Sequence, residues 1–295
     1  MYNPIKNIVF YYVEEPVLHT SKLGYLQYVL RTAVKYNTEN KVWLIADNNP
    51  NIEGINFVSR ESLTNELSEE FKKHFSYPYI VNPEQYVMEG INRWFYINEW
   101  CKQYKIESFV HFDTDVMVLT DVSKTEQVYP IATHLGYDHF KTDKIRTDFI
   151  CPHVFFCNDI NILKDYCQYC VYLFADKTSE YYRMCEEMAI HKQPDGITDM
   201  PTLGLYMTRH RHYFGYGTGI IGNSIYDVTF AASEGLEMEG EFKKIFIGCH
   251  DLDIYKKKFF GRTNEKEPRA IKINSLHFNG HYKKHIEEFY NKFIK

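Results

Sequence analysis

Short apolar runs alternate with segments of helical period in the first 120 residues, and this alternation restricts the possible folds more than any other feature. Apolar and aromatic runs at residues 6–12 and 41–47, and a third run beginning at Ile55, are typical of buried strands. The segments between them, such as residues 23–37, repeat apolar side chains every three or four positions, as amphipathic helices do. The sequence therefore predicts an α/β fold whose first half forms a parallel sheet.

The same pattern continues along the chain. We predict a serine-capped helix over 62–75, a helix over 93–104, a strand beginning at about Ser108, and a strand over 149–158 followed by a helix. With 295 residues, of which 44% are hydrophobic, the chain can bury a sizeable core. We expect a single domain with a mixed central sheet flanked by helices.

Charge and composition argue against several broad classes of protein. The net charge is −5 and the pI is about 6.2, whereas general nucleic-acid binders carry a basic excess. No stretch approaches the roughly 18 uncharged residues of a membrane span, and the N-terminal residues lack the pattern of a signal peptide. We therefore expect a cytoplasmic protein with no nucleic-acid partner and no membrane span.

The seven cysteines are scattered, which fits reduced thiols better than a disulfide framework. Cys167 and Cys170 form a CxxC motif, but they lie one turn apart on an apolar segment and no second cysteine pair accompanies them. We interpret both as core residues, with a metal or redox role as the alternative.

The sequence VHFDTDVMVL, residues 110–119, sets Asp113 and Asp115 into an otherwise apolar run. Burying these carboxylates is costly unless a partner compensates their charge. The pair ends a predicted strand, at the edge where α/β sheets collect their ligands. Since Mg²⁺ and Mn²⁺ prefer carboxylate oxygens, a divalent ion shared with a diphosphate is a natural partner. The alternative is an ordinary turn in which Asp115 acts as a cap.

A second motif, HFxGxxK, follows near the C-terminus, where His277, Gly280 and Lys283 stand in this order. An imidazole can complete a metal site that carboxylates begin. A glycine lets backbone approach a phosphate closely, and a lysine can neutralise phosphate charge. Together with the aspartate pair, these residues predict a metal-diphosphate site.

The two motifs resemble those of the GT-A glycosyltransferases, and most nearly those of glycosyltransferase family 8. The resemblance implies a GT-A fold in which Asp113, Asp115 and His277 hold Mn²⁺ or Mg²⁺. It implies that Gly280 and Lys283 meet the diphosphate. It also divides the chain into a nucleotide-sugar-binding half, 1–120, and an acceptor-binding half, 121–295, that carries the C-terminal motif.

The same resemblance implies further contacts with the donor. Arg93, on the helix before the DxD strand, would reach the donor, as would Thr114 inside the motif. The end of the first strand would hold the base, and the strand that ends at Asn158 would line the donor site. The residues at the end of the first strand are Tyr11, Tyr12 and Val13.

The activity that the resemblance implies is transfer of a hexose from a UDP-sugar to a hydroxyl group of a glycan, glycoconjugate or protein. The HFxGxxK ending resembles the retaining branch of these enzymes. Asp199 and Lys283 are the candidate catalytic residues: Asp199 would lie near the reacting carbon, and Lys283 would stabilise the leaving diphosphate. The alternative for Asp199 is an ordinary carboxylate at a helix N-terminus, which the helix dipole favours.

Two other classes of function stay open at this level. The motif HFDTDVMVL is also similar to the nucleophile motif of haloacid dehalogenase-like phosphatases, in which the first aspartate is phosphorylated. In those proteins the motif usually opens the fold, whereas here it follows about 110 residues. A protein that binds nucleotide sugars without catalysis would also fit the motifs.

Overall fold

The computed structural model describes residues 2–13, 24–63, 65–76, 84–126, 129–141, 146–190, 199–216, 220–221, 224–226, 228–229, 259–262, 270–278 and 280–295. Its strands are β1 (Asn7–Tyr12), β2 (Lys41–Ala46), β3 (Ile55–Ser59), β4 (Phe109–Phe112), β5 (Val116–Val118), β6 (Ile131–Lys141), β7 (Arg146–Cys157), β8 (Phe214–Tyr216), β9 (Ile220–Ile221), β10 (Ser224–Ile225), β11 (Val228–Thr229), β12 (Phe259–Arg262), β13 (Ala270–Ile273) and β14 (Ser275–His277).

Seven α-helices accompany these strands within the described residues. They are α1 (Leu26–Tyr36), α2 (Glu66–His74), α3 (Glu84–Tyr104), α4 (Ile160–Ala175), α5 (Glu180–Ile190), α6 (Asp199–Arg209) and α7 (Ile286–Phe289). Short 3₁₀ helices cover Arg60–Leu63, Val122–Lys124, Arg211–Tyr213 and Gly280–His285, and a π-helical turn covers Tyr290–Ile294. No helix among the described residues has the length and apolar composition needed to cross a membrane.

In the described part of the chain, the central sheet has seven strands in the order β3-β2-β1-β4-β7-β6-β8. The first four strands in this order run parallel, β7 runs antiparallel to β4, and β6 runs antiparallel to β7. Two smaller sheets have the orders β12-β13-β10-β9 and β11-β14-β5. The predicted fold class, a mixed central sheet flanked by helices, is confirmed.

Side chains alternate between the two faces of the parallel strands, and each face packs against its own layer. In β1, Val9 belongs to a core shared with α2, α3 and α4, whereas Ile8 and Phe10 belong to a core shared with α1. Ile286 and Phe289 of α7 pack into this second core. The C-terminal segment therefore folds back onto the first strands.

Two helix boundaries differ from the prediction. The serine cap predicted for α2 is wrong: Asn65, in an extended conformation, caps the helix by accepting a hydrogen bond from the Ser68 N–H at 2.9 Å. Helix α3 begins at Glu84, well before the predicted residue 93. Gly90 lowers the helix propensity of its first turns, and burial of Val87 and Ile91 compensates for it.

The CxxC cysteines lie in the core, as the sequence indicates. Cys167 and Cys170 are fully buried on α4 as free thiols, among the side chains that α4 packs against α3. Burial raises the pKa of both thiols, which keeps them protonated and unreactive.

Asp121 caps the short helix Val122–Lys124 and ties it to the loop that follows α1. Its carboxylate accepts hydrogen bonds from the Ser123 N–H at 3.1 Å and from Asn40 Nδ2 at 2.9 Å, and Lys124 Nζ lies 3.1 Å away. Burial raises the pKa of Asp121, but these hydrogen bonds outweigh it and lower the pKa from 3.8 to about 2.

We expect Asp121→Ala to lower the free energy of unfolding by about 1 kcal/mol at pH 7, as removal of a helix cap does. Because the folded-state pKa lies below the unfolded value of about 3.9, this stabilisation is present above that pH and is lost as the pH falls toward 2. Urea unfolding should therefore show a smaller difference in the free energy of unfolding between wild type and variant at pH 3 than at pH 7. Lys124→Met, which changes an 80% exposed side chain, is the control and should cost less than about 0.5 kcal/mol. An equal difference in the free energy of unfolding at both pH values would contradict the expectation.

Candidate active site

The aspartate pair occupies a tight turn between β4 and β5, at the carboxyl edge of the parallel strands. The Asp113 N–H donates to the carbonyl of His153 at 2.9 Å, and the Val116 N–H donates to the carbonyl of Asp113 at 3.0 Å. The turn is therefore fixed by its own backbone and by β7, and it presents both carboxylates at one place.

Strand β14 brings the second motif to this turn. It runs antiparallel to β5, so that His277 lies opposite Val116, and the Phe278 N–H donates to the carbonyl of Asp115 at 2.9 Å. As a result, His277 Nε2 is 3.3 Å from Asp115 Oδ1, and Lys283 Nζ is 3.2 Å from Asp115 Oδ2. His277 and Lys283, which follow Asp115 by more than 160 positions, thus both contact its carboxylate.

The Asp115 carboxylate is contacted from both sides. Its side chain is 10% exposed, and that of Lys283 is 39% exposed. Burial alone would raise the pKa of Asp115, but His277 and Lys283 outweigh it and hold that pKa below its usual value. Burial would likewise lower the pKa of Lys283, yet the Asp115 carboxylate raises it above its usual range. Both groups are therefore ionised at neutral pH.

Arg93 of α3 links two further carboxylates. Its Nη1 donates to Asp113 Oδ1 at 2.6 Å, its Nε donates to Asp199 Oδ2 at 3.0 Å, and Nη2 also contacts this oxygen. Trp94 Nε1 donates to the same Asp199 oxygen at 2.9 Å. The Arg93 side chain is 13% exposed and that of Asp199 is 6% exposed, so this is a buried chain of charges. Although burial opposes it, Arg93 holds the pKa of Asp113 well below its usual value.

His111 lies beneath Asp113 on β4, two residues earlier and therefore on the same face. It is fully buried, with Nδ1 3.1 Å from the carbonyl of Val9 and Nε2 3.2 Å from Asp113 Oδ1. Burial lowers its pKa, which favours the neutral ring. A neutral imidazole carries one N–H and donates to only one of these two acceptors.

Tyr25, which directly precedes α1, contributes an aromatic ring to the surroundings of the site. Lys283 Nζ lies 5.7 Å from the centre of the Tyr25 ring. Gly280 has a φ of +56°, a conformation that favours glycine, and the space that a side chain would enter there is open. Thr114 lies in the turn between the two aspartates, and Gly280 begins the 3₁₀ helix that carries Lys283.

Asn158 is a predicted donor contact that the structure does not bring to this site. Because β7 runs antiparallel to β4, Cys157 pairs with Phe109 at the start of β4, and Asn158 follows it at the opposite edge of the sheet. Its Nδ2 donates to the carbonyl of Tyr129 at 2.8 Å. The residue of β7 that reaches the site is His153, whose ring centre is 4.3 Å from that of His277.

The side chain of Tyr11, in the stretch Tyr11–Val13 that is predicted to hold the base, is engaged within the protein. Its hydroxyl donates to Glu89 at 2.8 Å and accepts from Arg60 at 3.2 Å, while its ring stacks on Tyr96 at 5.7 Å. Tyr12 packs partly into the core on the other face, and Val13 follows the end of β1.

The site has the donor chemistry for a hard divalent cation, since Asp113 and Asp115 supply oxygen and His277 supplies nitrogen. Both carboxylates are paired with cations of the protein itself: Asp113 contacts Arg93, and Asp115 contacts Lys283. Among the described residues, no three His, Cys, Asp or Glu side chains gather closely enough to hold a metal ion. The residue types fit the ion, and Asp115, whose two oxygens contact His277 and Lys283, would have to exchange a contact to bind it.

Sequence reasoning did not single out three residues of this site. His111 could have been found from its position two residues before Asp113, since alternation puts both on one face of the strand. Trp94 follows the candidate Arg93 directly, yet its hydrogen bond to Asp199 depends on how α3 and α6 pack. Tyr25 gives no sequence signal, because its contacts depend on the return of the C-terminal segment.

Comparison with known proteins finds similar solved structures among glycosyltransferases, whereas no family model and no curated protein matches the chain. One is the galactosyltransferase LgtC in complex with donor and acceptor sugar analogues: it is 12% identical, with a TM-score of 0.47 over 98% of this chain and 96% of that one. An active-site mutant of LgtC is 13% identical with the same TM-score and coverage. Mouse xyloside xylosyltransferase 1 in its apo form is 9% identical, with a TM-score of 0.47 over 78% of this chain and 90% of that one. Such similarity concerns the general fold, and function has to be inferred from the motifs and the site itself.

We expect Arg93→Met to lower the free energy of unfolding by about 3 kcal/mol or more, because it leaves Asp199 buried without its cation. The double variant Arg93→Met/Asp199→Asn should recover part of this loss, since it removes the uncompensated charge. Urea unfolding of Arg93→Met, Asp199→Asn and the double variant measures the coupling. Arg209→Met, which breaks an arginine–carboxylate pair whose arginine side chain is 49% exposed, is the matched control and should cost less than about 1 kcal/mol. If the changes in the free energy of unfolding caused by the two single substitutions were strictly additive, Arg93 and Asp199 would not be coupled as the buried network requires.

Proposed function

We propose that this protein is a metal-dependent glycosyltransferase that moves a hexose from a nucleotide sugar, in the first instance a UDP-sugar, to a hydroxyl acceptor. The observation that carries the proposal is the meeting of the two motifs: His277 and Lys283 contact Asp115, at 3.3 and 3.2 Å. Two weak motifs that are distant in sequence form one charged site at the ligand-binding edge of an α/β sheet. The acceptor would be a glycan, a glycoconjugate or a protein hydroxyl.

The charges at this edge suit a diphosphate that arrives with a divalent ion. Asp113, Asp115 and His277 would hold Mn²⁺ or Mg²⁺, and Lys283 would pair with a phosphate oxygen. When bound, the ion would neutralise negative charge that develops on the leaving diphosphate. Gly280, which is exposed, would let the chain approach the phosphates. The division into a donor half and an acceptor half near residue 120 is part of the same proposal.

Arg93 and Asp199 would act on the sugar side of the site. Arg93 is fixed by two carboxylates, so its guanidinium can donate in a defined direction to a sugar hydroxyl or a phosphate. Asp199 is held by Arg93 and Trp94, which favours a role in orienting groups near the reacting carbon over free proton transfer. This arrangement supports a retaining reaction, in which the leaving diphosphate accepts the acceptor proton and no separate base is essential.

The phosphatase alternative requires the carboxylate of Asp113 as a nucleophile. Its Oδ1 contacts Arg93 and His111, and the strand that carries it is the fourth along the chain. Neither feature favours that role. Turnover of a labelled nucleotide sugar separates an enzyme from a protein that only binds this ligand.

We expect Mn²⁺ and UDP together to raise the thermal stability of the wild-type protein, because a ligand that binds only the folded state stabilises it. Asp115→Asn should reduce the Mn²⁺-dependent affinity for UDP by about a hundredfold or more while the fold persists. Isothermal titration calorimetry with Mn²⁺ present measures this. Glu107→Gln removes the same charge from an exposed side chain before the start of β4, and it should leave the affinity unchanged. Equal UDP affinity in wild type and Asp115→Asn would contradict the proposal.

We also expect an α-linked product from an α-UDP-sugar, since the proposal assigns retention. Proton NMR of the first-formed product reads the anomeric configuration directly. A large anomeric coupling, the mark of a β-linkage in a gluco- or galacto-configured sugar, would mean inversion and would overturn this assignment. Asp199→Asn should lower the rate partially rather than abolish it, because Asp199 orients groups and is not the essential base.

A further inference from the structure

Both oxygens of the Asp115 carboxylate are engaged by the protein itself. Oδ1 lies 3.3 Å from His277 Nε2, and Oδ2 lies 3.2 Å from Lys283 Nζ. A divalent ion that binds Asp115 must therefore compete with the Lys283 ammonium group for the same carboxylate. Lys283 is also the cation that the proposed function assigns to the diphosphate.

We propose that Lys283 is an internal counter-cation that occupies Asp115 in the ligand-free protein and moves to the diphosphate when metal and nucleotide bind. This inference rests on the proposed function and adds its regulation. It predicts that the metal alone binds weakly, that the nucleotide relieves this competition, and that the two ligands therefore bind cooperatively.

The charge balance of the site supports the exchange. Among the contacting side chains described, Asp113, Asp115 and Asp199 carry three negative charges, and Arg93 and Lys283 carry two positive ones. A divalent cation alone would change this balance from −1 to +1. The two negative charges of a nucleotide-sugar diphosphate return it to −1. The diphosphate thus reverses the change in charge that the metal makes, and the attraction between the metal and the diphosphate favours binding of the two ligands together.

The surroundings of Lys283 allow such a movement. Its side chain is 39% exposed, and the four-carbon stem of a lysine is flexible. Its Nζ lies 5.7 Å from the centre of the Tyr25 ring, and this contact offers the ammonium group a favourable surface as it leaves the carboxylate. By contrast, Arg93 is held by two carboxylates and has no comparable freedom. Lys283 is therefore the cation that can leave its carboxylate.

The variant Lys283→Met distinguishes this exchange from a simple structural role. Without the competing ammonium, Asp115 is available to the metal, so the affinity for Mn²⁺ alone should rise about tenfold, which corresponds to about 1.4 kcal/mol. The affinity for UDP alone should fall, because the diphosphate loses its cation. Coupling between binding sites is reciprocal, so the cooperativity can be measured from either ligand. A loss of local structure would instead weaken both ligands.

The experiment is a titration of Mn²⁺ alone, UDP alone and the two together. Electron paramagnetic resonance detects free Mn²⁺, and calorimetry follows UDP. Lys284→Met removes the same charge from the exposed neighbouring residue and controls for a general electrostatic effect. Lys283→Arg keeps a cation at the site and should retain weak binding of Mn²⁺ alone.

The inference is supported if Lys283→Met binds Mn²⁺ more tightly and UDP more weakly, whereas Lys284→Met matches wild type. It is overturned if Mn²⁺ binds wild type and Lys283→Met equally, or if Lys284→Met produces the same increase. If wild type binds no Mn²⁺ even with UDP, the proposed function fails and the inference fails with it. Retention of native circular dichroism by each variant shows that folding is not the cause.

Discussion

The pairing of β14 with β5 is the constraint on which the rest of the site depends. It sets His277 opposite Val116 and joins the Phe278 N–H to the carbonyl of Asp115. Without this pairing, Asp115 would be a buried carboxylate at the end of a strand with no cation near it, a state that costs several kcal/mol. The packing of Ile286 against the core shared with α1 holds the same segment in place. Packing of the apolar side chains of the C-terminal segment thus holds Lys283 beside Asp115 and completes the charged site.

The site is organised by compensation between buried charges. Arg93 neutralises Asp113 and Asp199, and Lys283 neutralises Asp115. Such networks contribute little net stability, because the cost of desolvation offsets most of the attraction. Their value here is positional: each carboxylate has a defined orientation before any ligand arrives. We infer that ligand binding exchanges partners within this network and does not build a site from disordered parts.

The sequence correctly predicted the features whose signals are local or chemically unusual. Alternation of strands and helices gave the fold class, and the two motifs gave the group that meets at Asp115. It failed where the outcome depends on packing or direction. Asn158 was predicted to line the donor site because it ends a correctly predicted strand. However, β7 runs antiparallel to β4, so that Asn158 lies at the opposite edge of the sheet. Near the stretch Tyr11–Val13, which was predicted to hold the base, the sequence did not indicate that Arg60 and Glu89 contact the Tyr11 hydroxyl. No single-sequence pattern reports strand direction or such distant partners.

The central claim is that the two motifs form one metal-diphosphate site, and diffraction from crystals grown with Mn²⁺ and UDP tests it most directly. Anomalous scattering locates the ion independently of the protein coordinates. The account predicts one Mn²⁺ at about 2.0–2.2 Å from oxygens of Asp113 and Asp115 and from His277, with Lys283 on a phosphate oxygen instead of Asp115. An ion bound elsewhere, or UDP bound at this edge with the contact between Lys283 and Asp115 unbroken, would contradict it.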